Sequence, residues 1–226
     1  MNPAPSDFGQ LSYDMAHLLE GVALLFSFAL LYQRRLSAVI NTYTAQALTV
    51  AASCFWQAHV QHSGDLFATG VVTLLAKGVG FPWALHRIAR QTKAAESVEM
   101  SFGVFPSLAL GLFLACVALL VVMRIPAGAA LTRETLAMSL SVLLLGLAMM
   151  VTRSSALTQT IGFLSVENGL ALAAVGVPGM PIVVELSVAF LVMIAFIVFG
   201  IFFFRIRAQF DSLELHHLDR VAEEPE

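Results

Sequence analysis

Residues 156–177 read ALTQTIGFLSVENGLALAAVGV, an apolar run with a glutamate, Glu167, near its middle. A helix of about 20 such residues spans a bilayer. A charged side chain at that depth costs roughly 2.5–3.5 kcal/mol on insertion scales. Glu167 is therefore expected to face a protein interior or a wet cavity, where proton or ion relays are built. Gly162, Ser165, Gly169 and Gly176 form a small-residue seam along the same stretch, and such seams let helices pack closely. A carboxyl group beside that seam would face neighbouring helices. The other role open to Glu167 is a neutral carboxyl bonded across helices as structural glue.

The apolar pattern recurs on both sides of this run. About seven segments of spanning length are present, roughly 13–33, 36–57, 65–85, 103–123, 132–151, 157–177 and 181–204. Lipid cannot satisfy unpaired backbone groups, so the expected fold class is an all-α integral membrane protein with about seven transmembrane helices. Composition agrees: 58% of the 226 residues are hydrophobic, 12% are charged and mean hydropathy is +0.84. A soluble domain carries about 25% charged residues. The net charge of −3 comes without a basic stripe, which argues against nucleic-acid binding. Residues 1–7, MNPAPSD, lack the basic start and cleavage site of a signal peptide, so the first apolar segment is expected to be retained.

Basic residues set the expected orientation. With the N-terminus outside, the inner loops and tail hold Arg34, Arg35, Arg87, Arg90, Lys93, Arg153, Arg205, Arg207 and Arg220, against Arg124 and Arg133 outside. The positive-inside rule then reads N-out, C-in, in the cell (inner) membrane. Trp56 and Trp83 fall near segment ends, where interfacial aromatics sit. The same pattern divides the chain into an N-terminal three-helix unit with a cytoplasmic loop (1–102), linking helices (103–151), a helix pair carrying the relay carboxylate (152–205) and a cytoplasmic tail (206–226).

A weak parallel repeat is visible at an offset of 118 residues, placing helices 1–3 over helices 5–7. Arg35, Ser37, Ala38 and Thr42 match Arg153, Ser155, Ala156 and Thr160, and Arg87, Ile88 and Gln91 match Arg205, Ile206 and Gln209. Parallel repeats occur in membrane transport folds. Chance similarity between two apolar stretches gives the same matches.

Three charged groups are candidates for a proton relay: Glu167, Lys77 and Glu185. Lys77 is the sole lysine inside an apolar segment, between Gly70 and Gly78. An ammonium so placed needs a counter-charge or a wet path, and Glu167 and Glu185 are the two candidate partners. The following Phe81-Pro82 predicts a kink, because proline removes a backbone bond. Glu185 comes about one turn after Pro181, so it is either a relay member or a first-turn carboxylate at the outer interface. Thr42, Gln46, Thr49 and Ser53 make a polar helix face on segment 2. Such a face hydrates a channel or, more commonly, bonds to neighbouring helices.

Other polar groups read as solvated. Asp14, His17 and Glu20 share one face in the outer third of segment 1 and predict a wet entrance. His59, His62 and Asp65 read as an outer loop, without a zinc ligand spacing. Cys54 and Cys116 lie alone in separate segments, so no metal site or cofactor is expected in this chain. The tail, with Phe210, Leu213, His217 and Val221 at helical spacing, reads as a short amphipathic piece docking on a cytoplasmic partner.

Three stretches resemble hydrogenase-4 component E: residues 158–169 (TQTIGFLSVENG), 179–186 (GMPIVVEL) and 204–213 (FRIRAQFDSL). These are membrane subunits of group 4 [NiFe] hydrogenase and formate hydrogenlyase-type complexes. The C-terminal three helices look like the NuoK-type subunit of complex I and its counterpart in Mrp antiporters. The likeness is densest over residues 153–218. It implies a non-redox subunit lining a lateral proton path coupled to redox chemistry in partner subunits. The implied partners are the lipid bilayer, antiporter-like and other membrane-arm subunits, and a peripheral arm holding nickel–iron and iron–sulfur centres. The family relay carboxylate of the middle NuoK-type helix falls on Glu167. The second family carboxylate lies deeper than Glu185, at a level where this chain has Leu191 and Val192. A purely structural scaffold subunit and a free-standing secondary transporter are the alternatives.

Overall fold

The computed structural model describes residues 7–91, 103–124 and 133–175. They are almost wholly helical and belong to one compact unit. The seventh apolar segment, Glu185 and the tail therefore lie outside the described residues.

Helix α1 runs Asp7–Tyr32 and α2 Leu36–Gln61. At the end of α2, His62 takes a left-handed conformation (φ 50°) and returns its N–H to the Ala58 carbonyl. Ser63 then caps α3, its hydroxyl accepting from the Leu66 N–H. Helix α2 thus reaches further than segment 36–57 and carries His59 on its last turn rather than in a loop.

Helix α3 (Gly64–Thr73) continues through a π-helical segment (Leu74–Gly80) into α4 (Phe81–Gln91). In a regular α-helix the Pro82 ring would meet the carbonyl four residues back, and its missing N–H would leave that carbonyl unpaired. The wide turn absorbs this: the Phe81 N–H bonds to the Ala76 carbonyl, five residues back. The proline is accommodated by a π segment upstream of it, and Lys77 sits inside that segment. Arg87 and Arg90, read from sequence as part of a loop, continue this helix, and the Arg87 guanidinium lies 5.4 Å from the centre of the exposed Trp83 ring.

Helices α5 (Val104–Met123), α6 (Arg133–Thr152) and α7 (Ala156–Val175) follow. Among the described residues, four stretches are long and apolar enough to cross a membrane: Ser12–Tyr32, Gly64–Arg90, Val104–Met123 and Arg133–Thr152. Helices α2 and α7 match them in length but are less apolar, carrying Gln46 and Gln57 on α2 and Gln159, Glu167 and Asn168 on α7. Phe105, Leu112, Phe113 and Leu120 on α5 face outward, as suits a lipid-facing helix.

The hairpins α1–α2 and α6–α7 lie side by side, α1 against α6 and α2 against α7. Side-chain hydrogen bonds between them join residues 114 to 123 positions apart, a range that brackets the 118-residue offset. Within the second hairpin the backbones nearly touch. A Cβ on Gly169 would fall 2.6 Å from the Leu143 amide nitrogen, and one on Gly146 2.7 Å from that of Val166. Gly162 and Gly169 of the seam therefore meet α6, where the partner glycine is Gly146. Gly169→Ala should cost about 1–3 kcal/mol, since the obstructing atoms are backbone and the helices must part. Gly21→Ala, with nothing within 4 Å of its Cβ, should be neutral or slightly stabilising. Thermal unfolding in detergent measures both, and equal midpoints would contradict the close contact.

Candidate functional site

The interior polar groups converge near mid-length of their helices. Lys77 Nζ, from the π segment, lies 3.1 Å from Glu167 Oε1 on α7, and both side chains are at most 5% exposed. Of the two carboxylates that sequence offered Lys77, the structure brings Glu167 to it. Glu167 points well away from the glycine seam rather than beside it, at about 140° around α7 from Gly162. One face of the helix thus packs on α6 and another meets Lys77.

Distance makes this contact an ion pair, but neither Glu167 oxygen has a hydrogen bond with good geometry among the described residues. Two buried atoms of the same region share that condition, the Tyr43 hydroxyl on α2 and Asn168 Oδ1 beside Glu167. Tyr43 is fully buried and within electrostatic reach of the Glu167 charge. Buried polar atoms are normally satisfied by protein or ordered water. Glu167, Tyr43 and Asn168 thus form a group of buried polar atoms without hydrogen-bond partners among the described residues.

Gln46 organises the adjoining layer. Its Nε2 donates to Ser27 Oγ on α1 (2.7 Å) and to Ser165 Oγ on α7 (3.0 Å), and its Oε1 accepts from Asn168 Nδ2 (3.2 Å). This ties three helices together through one amide. The rest of the polar face on α2 is mixed: Thr49 and Ser53 are buried, Thr42 is half-buried, and Thr49 Oγ1 donates to the Ala45 carbonyl of its own helix. Ser27, Tyr43 and Asn168 were missed from sequence. Their signal was weak, because single hydroxyl and amide groups are common on membrane helices.

A second polar cluster joins the starts of α1 and α6. Tyr13 donates to Glu134, and His17 lies between Glu20 (Nδ1, 3.2 Å) and Glu134 (Nε2, 3.3 Å). The wet entrance expected from Asp14, His17 and Glu20 needs correcting here. Asp14 is exposed, but Glu20 is 4% exposed, and Tyr13 takes the place in the cluster expected for Asp14. Alpha-helical spacing explains the exchange, since positions 13, 17 and 20 share a stripe facing α6.

Arg153 is the third buried group. Read from sequence as part of an inner loop, it is 2% exposed. Its Nη2 donates to the carbonyls of Leu30 (2.8 Å), Leu31 (3.0 Å) and Gln33 (2.7 Å) at the end of α1. Burial pulls its guanidinium down to about 10, which leaves it charged at neutral pH. A cation there also complements the negative end of the α1 dipole.

No cluster of three or more His, Cys, Asp or Glu suited to a metal occurs among the described residues. These features define an all-helical protein with several bilayer-length apolar helices around a buried, charged core. A protein of Mycobacterium tuberculosis, described as the uncharacterized protein Rv0085, is 28% identical over 204 residues, covering 88% of this chain and 91% of that protein. No family model matches the chain, and no solved structure does.

Proposed function

We propose that this chain is a membrane subunit of a hydrogenase-like or complex I-like respiratory assembly in the inner membrane. On this reading it crosses the bilayer seven times, N-out and C-in, and resembles hydrogenase-4 component E. Its task is to line a lateral proton or ion path beside an antiporter-like subunit. Redox chemistry takes place at nickel–iron and iron–sulfur centres held by a peripheral arm.

The observation that carries the reading is the Lys77–Glu167 pair. Replacing a buried ion pair by well-packed apolar residues is often neutral or stabilising. Stability alone is therefore a poor reason to hold two charges at mid-depth, whereas a relay requires groups that exchange charge there. Among the described residues, Lys77 and Glu167 are the two charges in contact at this depth. A charge change in the peripheral arm that shifts Lys77 would thus move a proton on or off Glu167, with Tyr43 and Asn168 as polar neighbours.

Glu167→Gln tests this in the native complex. The variant should assemble, with antiporter-like and iron–sulfur subunits co-purifying from native membranes, and should lose redox-linked proton translocation. Normal translocation by the assembled variant would remove the relay role and leave a scaffold. Recovery of the chain alone, monodisperse and active in ion transport in vesicles, would point to a secondary transporter.

A further inference from the structure

We propose that Glu134, His17 and Glu20 form a proton port at the starts of α1 and α6, with Glu20 as the buried acceptor and His17 as the carrier. The port goes beyond the Lys77–Glu167 pair, uses neither of its residues, and is tested without reference to translocation.

The geometry is that of a bridge from water to a buried carboxyl. The Glu134 side chain is 62% exposed, that of His17 17% and that of Glu20 5%. Exposure thus falls in one direction along three groups in contact. The imidazole faces both carboxylates: Nδ1 is hydrogen-bonded to Glu20 Oε2 at 3.2 Å, and Nε2 lies 3.3 Å from Glu134 Oε2, a charge contact without hydrogen-bond geometry. The Tyr13 ring packs edge-on to the imidazole, with centroids 4.0 Å apart at 85°, and its hydroxyl donates to the same Glu134 oxygen. Ring and carboxylates are therefore held in position by residues from both helices. Thr135 on α6 is a further polar neighbour of Glu20.

Imidazole suits such a position because it takes a proton on one nitrogen and releases one from the other. A proton on the Glu134 carboxyl passes to Nε2 when the exposed Glu134 side chain turns into line with it, and the Nδ1 proton passes to Glu20 Oε2. Glu134 is left ionised and takes its next proton from water, and Glu20 becomes neutral. The imidazole ends as the opposite tautomer and is reset by reverse transfer or by rotation of the ring. The charged and titratable groups around the bridge are Tyr13 and Asp14 on α1 and Glu134 on α6. Beyond Glu20, Ser27 lies on the same stripe of α1, about 10 Å further along the axis at 1.5 Å per residue. It belongs to the Gln46 layer, and Ala23 of a buried apolar cluster with Val50, Val142 and Leu172 lies between the two, so the port ends at Glu20.

The test is hydrogen–deuterium exchange at the Glu20 carboxyl, followed by infrared difference spectroscopy on the full chain in lipid nanodiscs after a pH step. Glu20→Gln should remove one carboxyl band. Should that variant not be recovered, Glu20→Asp should move the band instead. His17→Gln keeps a side chain that bonds to carboxylates but carries no proton through. It should slow exchange of the Glu20 band at least tenfold, and Glu134→Gln should slow it several-fold. Exchange at the wild-type rate in His17→Gln, or the absence of a band that responds to Glu20 replacement, would overturn the port. Loss of translocation in Glu167→Gln bears on the first proposal alone, so the two fail separately.

Discussion

Lys77→Met should destabilise the protein by about 3–5 kcal/mol, because it leaves the Glu167 carboxylate buried without its counter-charge. The size follows from location. An ion pair open to water contributes about 0–1 kcal/mol, since solvent screens it. Lys77 and Glu167 are both within 5% of complete burial, so water neither screens the pair nor solvates a charge left alone there. The double variant Lys77→Met with Glu167→Gln removes both charges and should recover most of the loss, to within about 1–2 kcal/mol of wild type. Equilibrium unfolding in mixed micelles would measure the four corners of this cycle. A double variant no more stable than Lys77→Met would show that the pair is not energetically coupled. Solvent screening also means that the Tyr13 and His17 contacts to the exposed Glu134 should add little stability.

Arg153→Ala should be the other severe change, at about 2–4 kcal/mol. Hydrogen bonds from a charged donor contribute about 1.5–3 kcal/mol each. Here three carbonyls share the two hydrogens of a single nitrogen, so three full bonds would overstate the effect. Loss of the side chain also leaves the end of α1 with buried carbonyls and removes a cation from its negative pole. The Arg153 carbonyl itself accepts from Gln159 Nε2 at 2.9 Å, a bond made by the backbone that the alanine variant retains. Arg153→Lys should restore less than half of the loss, because an ammonium has no planar fork to reach spread acceptors. Thermal denaturation of the detergent-solubilised chain would rank the three proteins. Equal stability of Arg153→Ala and wild type would mean that the buried guanidinium only offsets its own desolvation.

Much of the helix pattern was legible in order. Six of the seven apolar segments coincide with α1, α2, the α3–π–α4 run, α5, α6 and α7, because helix length and apolar content follow directly from the need to satisfy backbone groups inside lipid. The ends were less legible. α2 continues to Gln61 and α4 to Gln91, since a helix does not stop where hydrophobicity stops; α2 ends at the left-handed His62. Pro82 announced an irregularity, but whether it becomes a kink or a π turn depends on which carbonyl the next free N–H can reach.

The candidate site was half legible. That Lys77 and Glu167 each need company follows from charge and depth, and Gln46 stood out on its polar face. Tyr43, Asn168 and Gly146 did not, because a tyrosine, an amide or a glycine gains its meaning from what lies opposite.

Arg35 and Arg153 separate the two kinds of information most clearly. They are the same residue type 118 positions apart, each just before a helix that carries interior polar groups. Local sequence settles that both stand at a helix start outside an apolar run. Yet Arg35 is exposed and Arg153 is buried against the end of α1. Burial is a property of neighbours, and neighbours come from how hairpins stack. Charge, spacing and hydropathy specify the helices and the residues that cannot remain unpaired. The packing of α6–α7 against α1–α2 and the π turn decides which groups they find, because only close approach in three dimensions supplies a counter-charge within about 3 Å or a carbonyl to a guanidinium.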